Sequence, residues 1–244
     1  MKPETRAKHF QIGQDLYDHA VINNEKGDFQ AALDFLNQSD RAFKKIKDIH
    51  WITFLKHEKI RIFQRQEQQK KALKLSDEVI RGYQKTRNKN GLALFLTHLS
   101  MIYAELPDLY LGLKCLKTAE TLALKTNPPK NLDYIYSNMA ILYIHLGNYA
   151  EAIKNLKKAV DIHNRKDEYL GRGWCQMQIG ICCQEIFLFE KTEQFFQQSY
   201  QSYLKANDPI KAQTPLNALK DLFIKTDQSD KLKRLQINSG QSLV

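Results

Sequence analysis

Residues 139–159 read MAILYIHLGNYAEAIKNLKKA. Met139, Ala140 and Tyr143 fall at i, i+1 and i+4, the spacing of one helical face, and the pattern breaks at Gly147. It resumes at Tyr149, Ala152, Leu156 and Ala159, again in steps of three and four. Two amphipathic helices joined by a short glycine turn follow from this spacing.

The pattern recurs in register every 40 residues. One step forward it reads Ile179, Gly180, Cys183, Phe187, Phe189, Thr192, Phe196 and Ser199. One step back it reads Leu99, Ser100, Tyr103, Leu109, Gly112, Leu116 and Ala119. Ile60, Ala72 and Val79 carry it through a second copy, and Ala20, Gly27, Ala32 and Leu36 through a first. Leu216, Leu219, Phe223 and Leu232 open a sixth that fades after Leu235. The junctions give an independent check: RAFKKIKD, RGYQKTRN, TLALKTNP, DIHNRKDE and QSYLKAND share one phase. Each puts cationic or amide side chains at the carbonyl end of a helix, then Asp, Asn or Pro to open the next element. An aromatic or His recurs there as Phe43, Tyr83, His163 and Tyr203.

The motif A-x-x-Y-x-x-x-G-x-Y-x-x-A, here Ala140, Tyr143, Gly147, Tyr149 and Ala152, resembles the tetratricopeptide repeat, a helix-turn-helix unit. Small residues at Ala20, Ser100, Ala140 and Gly180, and at Ala32, Ala72, Gly112, Ala152 and Thr192, fit the close helix approach of that family. The second copy departs from it, with Lys59 and Ile60 where Leu and a small residue are usual. The longer unit resembles those of kinesin light chain, spindle scaffolds and bacterial peptide-pheromone receptors. The resemblance implies an all-α, right-handed α-solenoid of about six repeats, approximately 13–52, 53–92, 93–132, 133–172, 173–212 and 213–237, with a flexible tail at 238–244. First helices would line a concave groove and second helices face outward.

The chain has 244 residues, 43% hydrophobic and 26% charged, with 10 Gly and 6 Pro, too little turn chemistry for an all-β fold. Its longest apolar run, Met139 to Ile144, is far short of the roughly 20 residues of a membrane span. The opening MKPETRAKHF has no apolar signal core, which points to a soluble, cytoplasmic protein. Cys115, Cys175, Cys182 and Cys183 form no C-x-x-C pair, so reduced, buried thiols are expected and no metal site. No phosphate loop, nucleophile elbow or zinc helix is visible, which argues against an enzyme and against a cofactor.

Function is then sought on the inward phases of the first helices. These carry His98, Met101 and Leu94, then Tyr134, Ser137, Asn138, Ile141 and His145, then Trp174, Met177 and Gln178, with His57, Arg61 and Arg65 in the second copy. His98, Asn138 and Gln178 share one phase. Such a row could donate to and accept from the backbone of an extended peptide, as inward amides do in peptide-binding relatives. Trp174, Met177, Tyr134, Ile141 and Met101 would form side-chain pockets. Arg61 and Arg65, one turn apart, could bind a carboxylate or phosphate. The carboxylate-clamp set of chaperone-binding relatives is not reproduced in any three consecutive copies.

The net charge of +10 falls mostly on second helices and junctions, as in Lys70, Lys71, Lys154, Lys157 and Lys158. The reading is a protein- or peptide-binding adaptor or scaffold. A peptide-sensing regulatory module is the alternative. A nucleic-acid-associated solenoid is the third class, less favoured because charged outer helices also keep solenoids in solution. The sequence sets no oligomeric state.

Overall fold

The computed structural model describes residues 1–106 and 108–238, with side chains to Leu235. Among these the chain is wholly helical. Its helices are α1 (Pro3–Glu25), α2 (Phe29–Lys45), α3 (Ile49–Arg65), α4 (Gln69–Lys85), α5 (Lys89–Glu105), α6 (Leu109–Leu124), α7 (Leu132–His145), α8 (Tyr149–Arg165), α9 (Tyr169–Glu185), α10 (Phe189–Lys205), α11 (Pro209–Lys225) and α12 (Ser229–Asn238). None of the described helices is long and apolar enough to cross a membrane.

The 40-residue period has a local cause. Helices α2 to α5 and α8 to α11 each span 17 residues and most are followed by three-residue turns, so the chain reverses every 20 residues. In nine of these turns one residue takes the left-handed conformation: Gly27, Lys47, Glu67, Arg87, Gly147, Asp167, Phe187, Asn207 and Asp227. The next N–H then closes back onto the preceding helix, as Asp48 N to Phe43 O at 3.0 Å and Asn148 N to Tyr143 O at 2.8 Å. The same residue caps the following helix with its side chain: Asp28 accepts from Ala31 N, Asp48 from Trp51 N, Asn88 from Gly91 N, Asn148 from Glu151 N and Asp208 from Lys211 N. In these five turns one residue thus satisfies orphan groups of two helices, while the turns ending at Gln68, Glu168 and Leu188 keep the same length without a side-chain cap. The longer turn from Lys125 to Asn131 is the exception.

The helices gather into two compact units, residues 1–130 and residues from 131 onward, where the sequence suggests one array over 1–244. Within each, hairpins stack as layers of an α-solenoid: α2 on α3 and α4 on α5 in the first, α8 on α9 and α10 on α11 in the second. The hairpins begin near residues 3, 49, 89, 132, 169 and 209, each before the repeat frame set by sequence phase, the fourth by a single residue. Position 107 and the expected tail beyond 238 lie outside the described residues.

The small residues sit where the family pattern requires. Ala20, Ser100, Ala140, Ala32, Ala72, Ala152 and Thr192 are all buried at helix contacts. In the first unit Phe43 stacks flat on Trp51 at 4.7 Å, with Phe10 edge-on to both. In the second, Phe196, Leu219 and Phe223 form a core that Leu232 and Leu235 of the fading sixth copy still join. Lys59 takes the phase of Leu99, Met139 and Ile179, and burial pushes its ammonium pKa down, which is the physical cost of the second copy's departure.

Candidate functional site

The first unit holds a cavity of about 440 Å³ between first helices α3 and α5. Trp51 and Phe54 of α3 and Leu94 of α5 make its apolar wall, and Tyr83 of α4 reaches into it from the second-helix layer. At its centre runs a hydrogen-bonded chain. Tyr83 Oη lies 3.0 Å from His57 Nδ1, and His57 Nε2 lies 2.7 Å from His98 Nδ1. Burial, followed by the neighbouring His98 and Arg61, lowers the His57 pKa to about 3, and burial with Arg61 lowers His98 to about 4. Burial pushes the Tyr83 phenol above its ordinary range. All three groups are therefore neutral at pH 7 and act as hydrogen-bonding groups. Arg61 and Glu58 pair at the rim, Arg61 Nη1 standing 3.1 Å from each carboxylate oxygen.

The second unit holds a cavity of about 280 Å³ between first helices α7 and α9. Tyr134 and Ile141 of α7 and Trp174 of α9 wall it, with Asn138 and Ser137 between them and His163 of α8 and Asp133 at one end. His163 Nδ1 bonds Glu168 Oε2 at 2.8 Å, and Lys166 Nζ stands 3.2 Å from Asp133 Oδ2.

The two cavities are built from equivalent positions. Phe54 and Tyr134, His57 and Ser137, Glu58 and Asn138, Arg61 and Ile141, Tyr83 and His163, Gly91 and Gly171, and Leu94 and Trp174 are each 80 positions apart in sequence, and all line their respective cavities. Only Asp133 of the second lining lacks a counterpart in the first. Gly91 and Gly171 explain how a second-helix ring enters this layer. A Cβ at Gly91 would overlap the Tyr83 ring, and one at Gly171 the His163 ring, so glycine lets each ring lie against the backbone of the next first helix.

Five of the inward residues read from sequence meet in one cavity: Tyr134, Ser137, Asn138, Ile141 and Trp174. His57, Arg61, Leu94 and His98 meet in the other. In the row read as backbone clamps, two of the three side chains are already bonded within the chain. Asn138 is only 4% exposed and donates its amide to its own helix at Tyr134 O, 2.7 Å away. An Asn inside a helix readily makes this bond to the carbonyl four residues back. His98 is tied to His57, and Gln178 is half-buried and lines neither cavity.

Arg61 and Arg65 each have partners within the chain, Arg61 the Glu58 carboxylate. Arg65 bonds Asn24 O at 3.1 Å and Asn24 Oδ1 at 2.8 Å, and lies over the Phe29 ring, joining α3 to the first hairpin. Met177 packs on the Phe196, Leu219 and Phe223 core instead of forming a pocket. Met101, half-buried, and His145, exposed, line neither cavity. The Tyr83–His57 bond and the His163–Glu168 pair escaped the sequence reading, although Tyr83 and His163 were marked by their shared junction phase and Gly91 and Gly171 follow each by eight positions.

Stacked helical hairpins with cavities between their first helices define a repeat protein of the α-solenoid class. The family model described as tetratricopeptide repeat matches residues 132–205, and the model described as anaphase-promoting complex subunit 5 matches residues 16–105. The second unit thus matches the tetratricopeptide repeat over residues 132–205, and the fold of the chain is that of a repeat solenoid. No curated protein matches it. Among solved structures it is similar to BtubC (BKLC) from P. vanneervenii, with 14% identity, TM-score 0.75, and coverage of 84% of this chain and 87% of that one. It is also similar to a STAND protein with a tetratricopeptide repeat sensor from Pyrococcus horikoshii, with 13% identity, TM-score 0.74, and coverage of 93% and 39% respectively. The apo form of RapI matches with 11% identity, TM-score 0.65, and coverage of 90% and 85%. At these identities the likeness is one of fold.

Proposed function

We propose that this protein is a non-catalytic adaptor or scaffold that holds an extended segment of a partner protein, seating partner side chains in the cavities between its first helices. The observation that carries this reading is the equivalence of the two cavities, seven shared lining positions in each. Both keep an aromatic ring on the first wall, Phe54 or Tyr134, and a large apolar side chain on the second, Leu94 or Trp174. An apolar wall with a few oriented polar groups is how a groove reads side chains while excluding water. In the first cavity the neutral Tyr83–His57–His98 chain offers hydrogen bonds without net charge. A binding role without covalent chemistry also suits the thiols, whose burial pushes Cys115 and Cys175 to about 11 and Cys182 to about 12, far from the range of a nucleophile.

The test is affinity capture from native lysate with the wild type and with Leu94→Ala/Trp174→Ala. Partners held through the cavities should fall at least about tenfold in recovery, as loss of a central aromatic anchor costs roughly 2 kcal/mol or more, while far-UV circular dichroism stays unchanged. A folded double variant that retains every partner of the wild type overturns the reading.

A further inference from the structure

We infer that Asp133, His163 and Glu168 form a binding site for a divalent transition-metal ion at the end of the second unit's cavity. The three residues come from three elements: the first turn of α7, the last turn of α8 and the residue that precedes α9. One nitrogen and two carboxylate oxygens, one atom from each residue, lie within 4.8 Å of one another. Metal bonds to such ligands are about 2.0–2.2 Å long. Ligand atoms around one ion are therefore roughly 3–4 Å apart, and metal binding requires side-chain rotation to draw the cluster to that spacing.

Each residue is placed for the role. His163 is nearly buried, its ring held against Gly171, so the position of its nitrogen is set by backbone packing. Asp133 is largely covered and Glu168 half-exposed, a fixed ligand and a mobile one. Glu168 also departs from its sequence equivalents. Asp48, Asn88 and Asp208 at this phase cap the helix that follows, whereas the Glu168 side chain caps nothing and turns to His163. The cluster already gathers positive charge: Lys166 Nζ stands 3.2 Å from Asp133 and 3.9 Å from Glu168. Lys166 is on an exposed, flexible side chain that can swing to water when a divalent ion takes its place.

One imidazole with two carboxylates suits Mn²⁺, Co²⁺, Ni²⁺ or Zn²⁺, and disfavours Mg²⁺ and Ca²⁺, which prefer all-oxygen shells. Three protein ligands leave coordination positions for water or another oxygen, and Asp133 and His163 both line the cavity that Trp174 walls. The site stands on its own whether or not that cavity takes a partner.

Calorimetric titration of the metal-stripped protein with Mn²⁺, Co²⁺, Zn²⁺ and Mg²⁺ tests it. One equivalent of Co²⁺ or Zn²⁺ should bind and quench or shift Trp174 fluorescence, with no saturable Mg²⁺ heat. Asp133→Asn and Glu168→Gln should each weaken binding at least about tenfold, the scale of losing one contact in a metal site. Lys166→Gln should tighten it, and Cys175→Ser should leave it unchanged. Glu168 lies at the surface, so its variant keeps the test readable if a His163 variant fails to fold. No binding of any of these ions at millimolar concentration overturns the proposal, as does binding that Asp133→Asn and Glu168→Gln leave intact.

Discussion

His57 Nε2 stands 2.7 Å from His98 Nδ1, a bond that joins the first helices of two successive repeats across 41 residues of sequence. At that separation one nitrogen must donate and the other accept, so the pair tolerates neutral rings and resists a second charge. Tyr83 completes the chain and fixes the far face of His57.

Acid should therefore weaken the first unit through this pair. His57 titrates near 6.5 when unfolded and near 3 when folded, so between those values the unfolded chain binds the extra proton. The stability is fully present above about pH 6.5 and is lost as pH falls toward 3, at about 1.4 kcal/mol per pH unit for one such proton. Urea unfolding at pH 7 and pH 4.5 should show a smaller acid loss in His57→Gln than in the wild type. Equal losses would contradict the coupling.

Gly91 and Gly171 should resist even alanine. The added methyl would overlap Tyr83 in one case and His163 in the other, and both rings are hemmed in by neighbours. Each substitution is expected to cost about 1–3 kcal/mol, the range for overpacking, and Gly171→Ala should also shift Trp174 emission as His163 is pushed into the cavity. Unchanged urea midpoints and emission would show that the rings move freely.

Phe187 occupies the left-handed turn position, φ 59°, that Gly27 and Gly147 hold in other repeats, and the residue is 77% exposed. A non-glycine residue pays roughly 1–2 kcal/mol there, against the roughly 0.4–1 kcal/mol that glycine loses through the greater freedom of its unfolded chain. Phe187→Gly should raise stability, by up to about 1.5 kcal/mol. A lower thermal midpoint would mean that Phe187 makes stabilising contacts outweighing its backbone strain.

The four thiols should react slowly in the native state. Cys175, Cys182 and Cys183 are buried, Cys115 is partly so, and burial raises the pKa of each. Titration with a thiol reagent at pH 7 should give slow labelling when folded and rapid release of four equivalents in denaturant. Fast labelling of the folded protein would contradict this.

Much of the fold was legible because its determinants are local. The apolar spacing around Gly147, the small residues at Ala140 and Ala152, and the caps at Asp48 and Asn148 each act within a turn or two of helix, so the chain itself carries the period. The cavity of the second unit was partly legible for the same reason, since Tyr134, Asn138, Ile141 and Trp174 share helical phase with their neighbours.

Phase states which way a side chain leaves the backbone but not which partner it finds. Asn138 had its own carbonyl at Tyr134 within reach, Arg65 had Asn24 from another hairpin, and His98 had His57. Asn138 took a carbonyl of its own helix, whereas Arg65 and His98 bonded partners that only packing brought together. The sequence alone thus determined the helical hairpin and its 40-residue repeat, because hydrophobic periodicity and capping are short-range. Tertiary structure decided which polar groups remain available and where cavities open. Those outcomes depend on how far two helices approach, which at Gly91 and Gly171 is set by the absence of a single carbon atom.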